Sequence, residues 1–272
     1  MKTRVISAIV ALAIVIPLFL IGGIPWAIGV AVIAALGYNE IVNLKESHHP
    51  FPNEVKVLGF LALEVLTLSR FRVDPTEIGL SYAATALLLL ALLIPAIFDK
   101  KDKYTTRDAL YLIASILLLG TFFSLLILIE NGNKWILLYL ILIATITDSF
   151  AMIIGSLIGK HKLIPHVSPK KSVEGSIFGS LVGTAIATIY YLNIVIKSST
   201  FGNTLLIIAV TLILSVLGQI GDLFFSKIKR ENNIKDFSNI MPGHGGILDR
   251  LDSLSFIVLG YVIFITILKL IG

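Results

Sequence analysis

The feature that most constrains this chain is its series of long apolar runs. Residues 5–22 and 80–98 contain no charged side chain, and about 20 apolar residues are enough to cross the hydrocarbon core of a bilayer. Of the 272 residues, 56% are hydrophobic and 14% are charged, whereas a soluble domain usually carries about 25% charged residues. The chain is therefore predicted to be an all-α, polytopic integral membrane protein.

Hydropathy predicts about nine transmembrane helices. The third is short and carries Glu64, so a re-entrant or surface helix is the alternative there. The first begins with Lys2 and Arg4, as a signal peptide does, but no small-residue cleavage site follows it, and we interpret it as a membrane helix. The predicted spans cover residues 5–21, 24–44, 55–69, 78–98, 108–129, 135–158, 175–196, 203–225 and 254–270.

The distribution of positive charge predicts which loops face the cytoplasm. With nine spans, 17 of the 22 Lys and Arg residues lie on the side of the N-terminus, and cytoplasmic loops are the ones enriched in these residues. We therefore expect a cytoplasmic N-terminus and insertion in the inner (cytoplasmic) membrane. The basic loops 159–174 and 226–253 then lie on one face, so an active site is expected on the cytoplasmic side.

Two regions are predicted along the chain. Residues 1–130 form an N-terminal transmembrane region of five spans, and residues 131–272 form a C-terminal catalytic region of four spans with a signature loop at 221–252. The second region is rich in small residues, which allow close helix packing inside one chain or between protomers. These are Gly155, Gly159, Gly175, Gly179 and Gly183.

Two aspartates lie within predicted spans. Asp148 is well inside the sixth span, and Asp222 is near the cytoplasmic end of the eighth. A charged side chain deep in a bilayer costs on the order of 2.5–3.5 kcal/mol and usually marks a functional site. A helix–helix hydrogen bond or a buried ion pair is the alternative interpretation.

Charged side chains and glycines coincide in the stretch 221–252. Glycine lets a backbone approach a ligand closely, and cationic side chains bind phosphate oxygens. His244 is interpreted as a hydrogen-bond donor to phosphate, with acid–base catalysis and a turn-stabilising role as alternatives, and the backbone N–H groups around it are expected to face an anion. The other candidates here are Lys227, Lys229, Arg230, Lys235, Gly243, Gly245, Gly246, Asp249 and Arg250.

A second candidate segment is the loop 159–174. Its prolines stiffen the turns around Ser168, Lys170 and Lys171, which favours phosphate binding over a role in membrane topology alone. The chain has no cysteine, so disulfides, iron–sulfur sites and thiol catalysis are excluded. Carboxylates close to cations and glycines indicate metal-assisted phosphoryl or nucleotidyl transfer at a membrane surface.

These motifs resemble the signature of the phosphatidate cytidylyltransferases, also called CDP-diacylglycerol synthases. The resemblance covers roughly the C-terminal half and includes Gly221-Asp222, Asp148-Ser149 and Gly159-Lys160-His161-Lys162. Met241 and Ser172-Val173 depart from the family pattern. The matching signature runs Ser226-x-Ile228-Lys229-Arg230, then Lys235-Asp236, then Pro242-x-His244-Gly245-Gly246-Ile247-x-Asp249-Arg250-Leu251-Asp252.

The resemblance implies that CTP and phosphatidic acid react to give CDP-diacylglycerol and pyrophosphate with Mg²⁺, and with a second metal ion as a further option. It implies membrane lipids, and no nucleic acid, as partners; a homodimer is a further expectation. Metal ligands would be Asp222 and Asp249, with Asp148 nearby. Catalytic roles would fall to Asp222, Asp249, Lys229, Arg230, His244 and Arg250, and phosphate binding to Ser168, Lys170, Lys171, Lys227, Lys235, Gly243, Gly245 and Gly246.

Two rival functions stay open from the sequence. Another CTP-dependent lipid transferase or kinase would use an isoprenoid acceptor, which leaves little mark in an apolar chain. A cation transporter would use Asp148 and Asp222 as ligands of the coupling ion. The absence of a visible inverted repeat and the presence of the basic glycine loop disfavour the transporter.

Overall fold

The computed structural model describes residues 2–46, 50–69, 71, 82–98, 103–196 and 201–271. Nearly all of the regular structure in these ranges is α-helical, in agreement with the predicted class. A π-helical turn, Tyr191–Val195, follows α6. The helices are α1 (Lys2–Ile21), α2 (Gly23–Glu46), α3 (Asn53–Leu68), α4 (Tyr82–Phe98), α5 (Thr106–Ile158), α6 (Val173–Tyr190), α7 (Phe201–Glu231) and α8 (Leu248–Ile271).

Five helical stretches are long and apolar enough to cross a bilayer: Gly23–Lys45, Thr106–Ile158, Val173–Val195, Asn203–Glu231 and Leu248–Leu270. Their number and hydropathy identify an integral membrane protein. The count of nine spans stays a prediction, as does the cytoplasmic N-terminus. Residues 78–81 of the predicted fourth span lie outside the described residues.

Helix α5 contains two predicted spans in one continuous element. Its 53 residues would extend about 80 Å as a straight helix, far more than the roughly 30 Å of a hydrocarbon core. The backbone leaves helical geometry at Asn133, with φ −160° and ψ 104°. The Asn133 side-chain oxygen accepts the N–H of Trp135 at 3.0 Å, so this residue caps the second half of the helix.

The segment 159–174 contains a β-hairpin, which corrects the strictly all-α prediction. Strands β1 (Lys162–Ile164) and β2 (Ser168–Ser172) pair antiparallel, with Lys162 opposite Ser172. Val167 donates its N–H to the carbonyl of Ile164 at 3.1 Å, which places Pro165 at the second position of a β-turn, where its fixed φ is favourable. Pro165 therefore lies in the hairpin turn, whereas Pro169 lies in β2. The strands were too short to be predicted from periodicity.

The described helices group into two compact units, with one chain boundary at the Asn133 kink. The first unit comprises Met1–Gly132 and Asp236–Leu248, and the second comprises Asn133–Lys235 and Asp249–Gly272. The predicted catalytic region began at residue 131 and included the whole signature loop. The central part of that loop, Asp236–Leu248, belongs to the first unit, and the division into an N-terminal and a catalytic region stays a prediction.

Hydroxyl and amide side chains connect the helices of the second unit. Thr147 of α5 contacts Ser215 of α7 at 2.9 Å, and Ser215 donates to Ser180 of α6 at 2.9 Å. Gln219, one turn before Asp222, donates to Ser180 at 2.6 Å. Because lipid cannot satisfy such groups, these hydrogen bonds stabilise the α5–α6–α7 packing from within.

The small residues of the second region bring α5 and α6 together inside one chain. A Cβ on Gly175 would lie 2.4 Å from the carbonyl oxygen of Ala151, and one on Gly179 would lie 2.7 Å from the Ala151 Cβ. Only glycine permits this approach of two backbones. These glycines therefore serve packing within the second unit, and the homodimer stays a prediction that they do not support.

Candidate functional site

The second unit contains a cluster of acidic and basic side chains centred on Asp222. Asp222 lies on α7, where its carboxylate pairs with the ammonium group of Lys171. The hydroxyl of Ser226, one turn further along α7, donates to the same carboxylate at 3.2 Å. Asp222 is about a quarter exposed, so it is accessible to a ligand while being held by two protein groups.

The hairpin explains why two adjacent lysines behave differently. Successive side chains of a strand point to opposite faces. Lys171 is half-buried and reaches Asp222, whereas Lys170 is exposed. Ser168, at the start of β2, is half-buried and pairs with Ile164 in the strand register. Of the two lysines predicted to bind phosphate, Lys171 therefore lies at the Asp222 cluster and Lys170 lies at the surface.

Two further aspartates surround Asp222. Asp148 of α5 accepts a hydrogen bond from Ser253 of α8 at 2.8 Å. The carboxylates of Asp148 and Asp252 each lie close enough to Asp222 for electrostatic repulsion. Our candidate list omitted Asp252 and Ser253, although Asp252 lies one helical turn after Asp249 and so shares its face.

The predicted residues Lys229 and Asp249 form a buried ion pair. Their side chains are 9% and 3% exposed, and the Lys229 ammonium lies 2.6 Å from Asp249 Oδ1. Such a pair is stabilising only while both partners are present, because either charge alone would be left buried and uncompensated. It joins the end of α7 to the first turn of α8.

The charges of this cluster are not balanced by the described side chains that pair within it. Four carboxylates, those of Asp148, Asp222, Asp249 and Asp252, face the ammonium groups of Lys171 and Lys229. Two of the four carboxylates therefore have no ammonium group of their own among these pairs, in a buried setting that makes carboxylate charge costly. Carboxylate oxygens are the ligands that Mg²⁺ prefers, so the donor set suits a divalent cation. Among the described residues, however, no group of three or more His, Asp or Glu is arranged as a metal site.

The guanidinium of Arg230 binds backbone carbonyls of its own unit. Its Nε donates to Val167 in the hairpin turn at 3.3 Å, and its Nη1 donates to Ile234 at 3.0 Å. A guanidinium has five N–H donors, so this leaves donors for a phosphate. Arg230 therefore ties the hairpin to the segment after α7, and its predicted catalytic role stays a prediction.

Five predicted cations lie on the exposed surface. These are Lys170, Lys227, Arg230, Lys235 and Arg250. Lys227 pairs with Glu231 one turn away at 3.1 Å, a solvent-accessible contact that contributes little to stability. The structure thus places the half-buried Lys171 at Asp222 and the buried Lys229 at Asp249. The other predicted cations lie at the surface.

The glycine loop of the signature is part of the first unit and folds back on itself. Met241 and Gly245 form an isolated antiparallel bridge. Gly243 and Gly245 have φ of +79° and +86°, a conformation that glycine adopts without strain. The N–H groups of His244 and Gly245 both donate to the carbonyl of Met241, at 2.8 and 3.1 Å. In this conformation the turn itself uses these two amides, and anion binding by the backbone of this loop stays a prediction.

The imidazole of His244 is held by Ser7 of α1. The Ser7 hydroxyl lies 2.8 Å from His244 Nδ1 and donates to the carbonyl of Pro242 at 3.1 Å. Since a hydroxyl has one hydrogen, its oxygen accepts from Nδ1–H when that hydrogen goes to Pro242. The contact holds the imidazole ring in place, and the tautomer decides whether Nδ1 donates or accepts. Ser7 was missed because a lone serine in an apolar run gives no sequence signal.

The chain is similar to known proteins along nearly its whole length. The model of the cytidylyltransferase family matches residues 2–268. A protein of Staphylococcus haemolyticus named phosphatidate cytidylyltransferase is 34% identical over 266 residues, which cover 95% of this chain and 96% of that protein. Its namesakes in Staphylococcus aureus and Staphylococcus epidermidis are each 31% identical over the same shares of both chains. The chain belongs to the cytidylyltransferase family.

Proposed function

We propose that this protein transfers the cytidylyl group of CTP to phosphatidic acid, giving CDP-diacylglycerol and pyrophosphate for phospholipid synthesis. The observation that carries the proposal is the cluster around Asp222, which the second unit assembles from three helices and a hairpin. The similarity to phosphatidate cytidylyltransferases over nearly the whole chain supports the choice of nucleotide and lipid.

The main obstacle to this reaction is repulsion between anions. An oxygen of the lipid phosphate bonds to the α-phosphorus of CTP, and the bond from that phosphorus to pyrophosphate breaks. Cations held in position lower the barrier, because they neutralise charge without reorganising during the reaction. Lys171 is the inward cation best placed to contact a phosphate at Asp222, while Lys170, Lys235 and Arg250 extend from exposed positions. We assign phosphate binding to these side chains.

Mg²⁺ is the cofactor that the carboxylates favour. Asp222 would be its principal ligand, with Asp148, Asp249 and Asp252 as the neighbouring carboxylates, and a second metal ion would share them. When bound, the metal would neutralise phosphate charge and align the reacting groups. The presence of four carboxylates against two ammonium groups in the cluster supports a divalent cation over a monovalent one.

The depth of the cluster supports a site near one membrane surface. Trp135, at the start of the second half of α5, accepts a hydrogen bond from Tyr190 through its carbonyl, and such aromatic residues are enriched at membrane interfaces. Asp148 follows 13 residues later, about 20 Å along the helix. Asp148 then lies roughly 10 Å from the opposite surface of a 30 Å core, the surface that carries the basic hairpin and faces the cytoplasm in our proposal.

The direct test is pyrophosphate release by the purified full chain in detergent. CTP, Mg²⁺ and phosphatidic acid are supplied together and then each is omitted in turn. Release that requires all three supports the proposal. Release or CDP formation with an isoprenoid acceptor, but none with phosphatidic acid, would replace the lipid substrate. If folded protein released no pyrophosphate with any acceptor but moved cations across vesicle membranes, a transporter would be favoured.

Metal binding has a test that does not depend on turnover. Addition of Mg²⁺ is expected to raise the melting temperature of the wild-type protein, because a ligand that binds only the native state stabilises it. Asp222→Asn should lose most of this shift, whereas Glu231→Gln, on the exposed end of the same helix, should keep it. An equal shift in both variants would remove Asp222 from the metal site.

Ser7→Ala tests the orientation of His244. Loss of one hydrogen bond is expected to lower turnover by up to about tenfold, since such a bond contributes about 1 kcal/mol. Ser115→Ala is the matched control, because the Ser115 hydroxyl donates only to the Tyr111 carbonyl of its own helix in the described contacts. Turnover of Ser7→Ala equal to that of this control would mean that the Ser7–His244 contact does not serve the reaction.

A further inference from the structure

Glu40 is a buried carboxylate in a helix that is long and apolar enough to cross the membrane. It lies on α2 and is 1% exposed. A carboxylate in such a place is costly unless hydrogen bonds satisfy both of its oxygens. Its partners are therefore informative about why it is there.

Three donors to Glu40 come from the signature loop. The Ser238 hydroxyl donates to Oε1 at 2.6 Å, and the N–H of Ile247 donates to the same oxygen at 2.7 Å. The N–H of Leu248 donates to Oε2 at 2.9 Å. One side chain thus holds the loop at two places, at Ser238 and at residues 247–248, which are 198 and more residues away in the sequence.

The hydrogen bonds from the N–H groups of Ile247 and Leu248 to Glu40 act as a helix cap. Helix α8 begins at Leu248, and the first N–H groups of a helix have no acceptor within it. The residue before it is Ile247, whose side chain cannot accept a hydrogen bond, whereas helix caps are usually Ser, Thr, Asp or Asn. Glu40 supplies the missing acceptor from another helix, and its negative charge suits the positive end of the helix dipole.

The contact with Glu40 also explains Gly246. A Cβ at this position would lie 2.4 Å from Glu40 Oε1 and 2.7 Å from its Cδ, closer than atoms can approach. Gly246 was predicted to bind phosphate, but its lack of a side chain is already required by the carboxylate that lies against its backbone.

We propose that Glu40 is a positioning residue for the reaction, acting through the backbone of the signature loop and the start of α8. It fixes Leu248, the residue directly before Asp249, and Asp252 follows one turn later on the same helix. This inference rests on the proposed cytidylyl transfer and extends it to a residue far outside the signature.

Glu40→Gln tests the proposal, because the amide keeps the size of the side chain but replaces one acceptor with a donor. Turnover is expected to fall about tenfold or more, the equivalent of one or two lost hydrogen bonds, while the KM values for CTP and phosphatidic acid change little. Amide hydrogen exchange should become faster in peptides covering residues 238–250. Exchange in peptides of α2 itself should stay unchanged.

The matched control is Glu130→Gln. Glu130 is also buried in the first unit, where it accepts the N–H of Gly23 at 3.4 Å. This variant is expected to raise exchange around Gly22 and Gly23 and to leave peptide 238–250 and turnover near wild type. Faster exchange at 238–250 in both variants would mean a general loss of stability and would overturn the proposal.

A double-mutant cycle tests the shared contact. Gly246→Ala alone should impair turnover because its methyl group displaces the carboxylate, but it should add little in a Glu40→Ala background, where the space is free. Additive effects would overturn the proposal, as would a folded Glu40→Gln protein with wild-type turnover or with unchanged exchange at 238–250. A wild-type protein without turnover would count against the proposed function, whereas the exchange comparison would still test Glu40.

Discussion

Asp222→Asn is expected to reduce pyrophosphate release by about a thousandfold or more. Asparagine keeps the shape of the side chain but removes the charge on which Lys171, Ser226 and the proposed Mg²⁺ depend. Loss of a single preorganised electrostatic contact at a reaction centre typically costs 10²–10³ in rate, and here one substitution removes several. The measurement is CTP-dependent pyrophosphate release at saturating phosphatidic acid.

The control for this experiment lies on the same helix. Glu231→Gln removes a carboxylate that pairs only with exposed Lys227 among the contacts described, so its turnover should equal that of the wild type. Both variants should elute as monodisperse protein with similar melting temperatures. Near-normal turnover by folded Asp222→Asn would exclude the Asp222 cluster as the reaction centre.

Breaking the Lys229–Asp249 pair is expected to have the largest effect on stability. Lys229→Met leaves Asp249 buried without its partner, and removal of one member of a buried pair typically costs about 3–5 kcal/mol. Asp249→Leu removes the carboxylate that lies 2.6 Å from the Lys229 ammonium group, but the Asp252 carboxylate remains nearby, so its effect should be the smaller of the two. Thermal unfolding in detergent should show a lowered melting temperature for each single variant.

The double variant separates stability from chemistry. Lys229→Met with Asp249→Leu leaves no isolated charge, so its melting temperature should recover most of the loss. Its turnover should remain abolished, because both predicted catalytic side chains are gone. A double variant that regains turnover would assign the pair a purely structural role, and one less stable than both single variants would contradict the ion-pair energetics.

The helices were largely predictable because their signal is local. Apolar runs of about 20 residues are visible in any short window, and both ends of α2 fall within two residues of the predicted span, although α8 begins six residues before its predicted start. The signature residues were equally visible, because closely spaced charged residues and glycines can be recognised without knowledge of the tertiary structure. The resemblance to cytidylyltransferases therefore followed from the sequence and agrees with the family match.

The partners of those residues were not predictable in the same way. Lys171 and Lys170 are equivalent in the sequence, and only the strand register directs one to Asp222 and the other to solvent. Asp252 joins Asp148 and Asp222 because three helices meet there. The backbone amides of the glycine loop are consumed by its own turn and by Glu40, which no spacing in the loop indicates.

The sequence by itself determined that the chain enters a membrane, which segments are helical, and which family the chain belongs to. Each of these depends on hydrophobicity, backbone preference or residue type, which are properties of neighbours along the chain. Only the tertiary structure decided which charges pair, which glycines make room for packing, and which buried groups cap a distant helix. Those outcomes depend on contacts such as Glu40–Leu248, whose partners are more than 200 residues apart and whose energy exists only once both are brought together and removed from water.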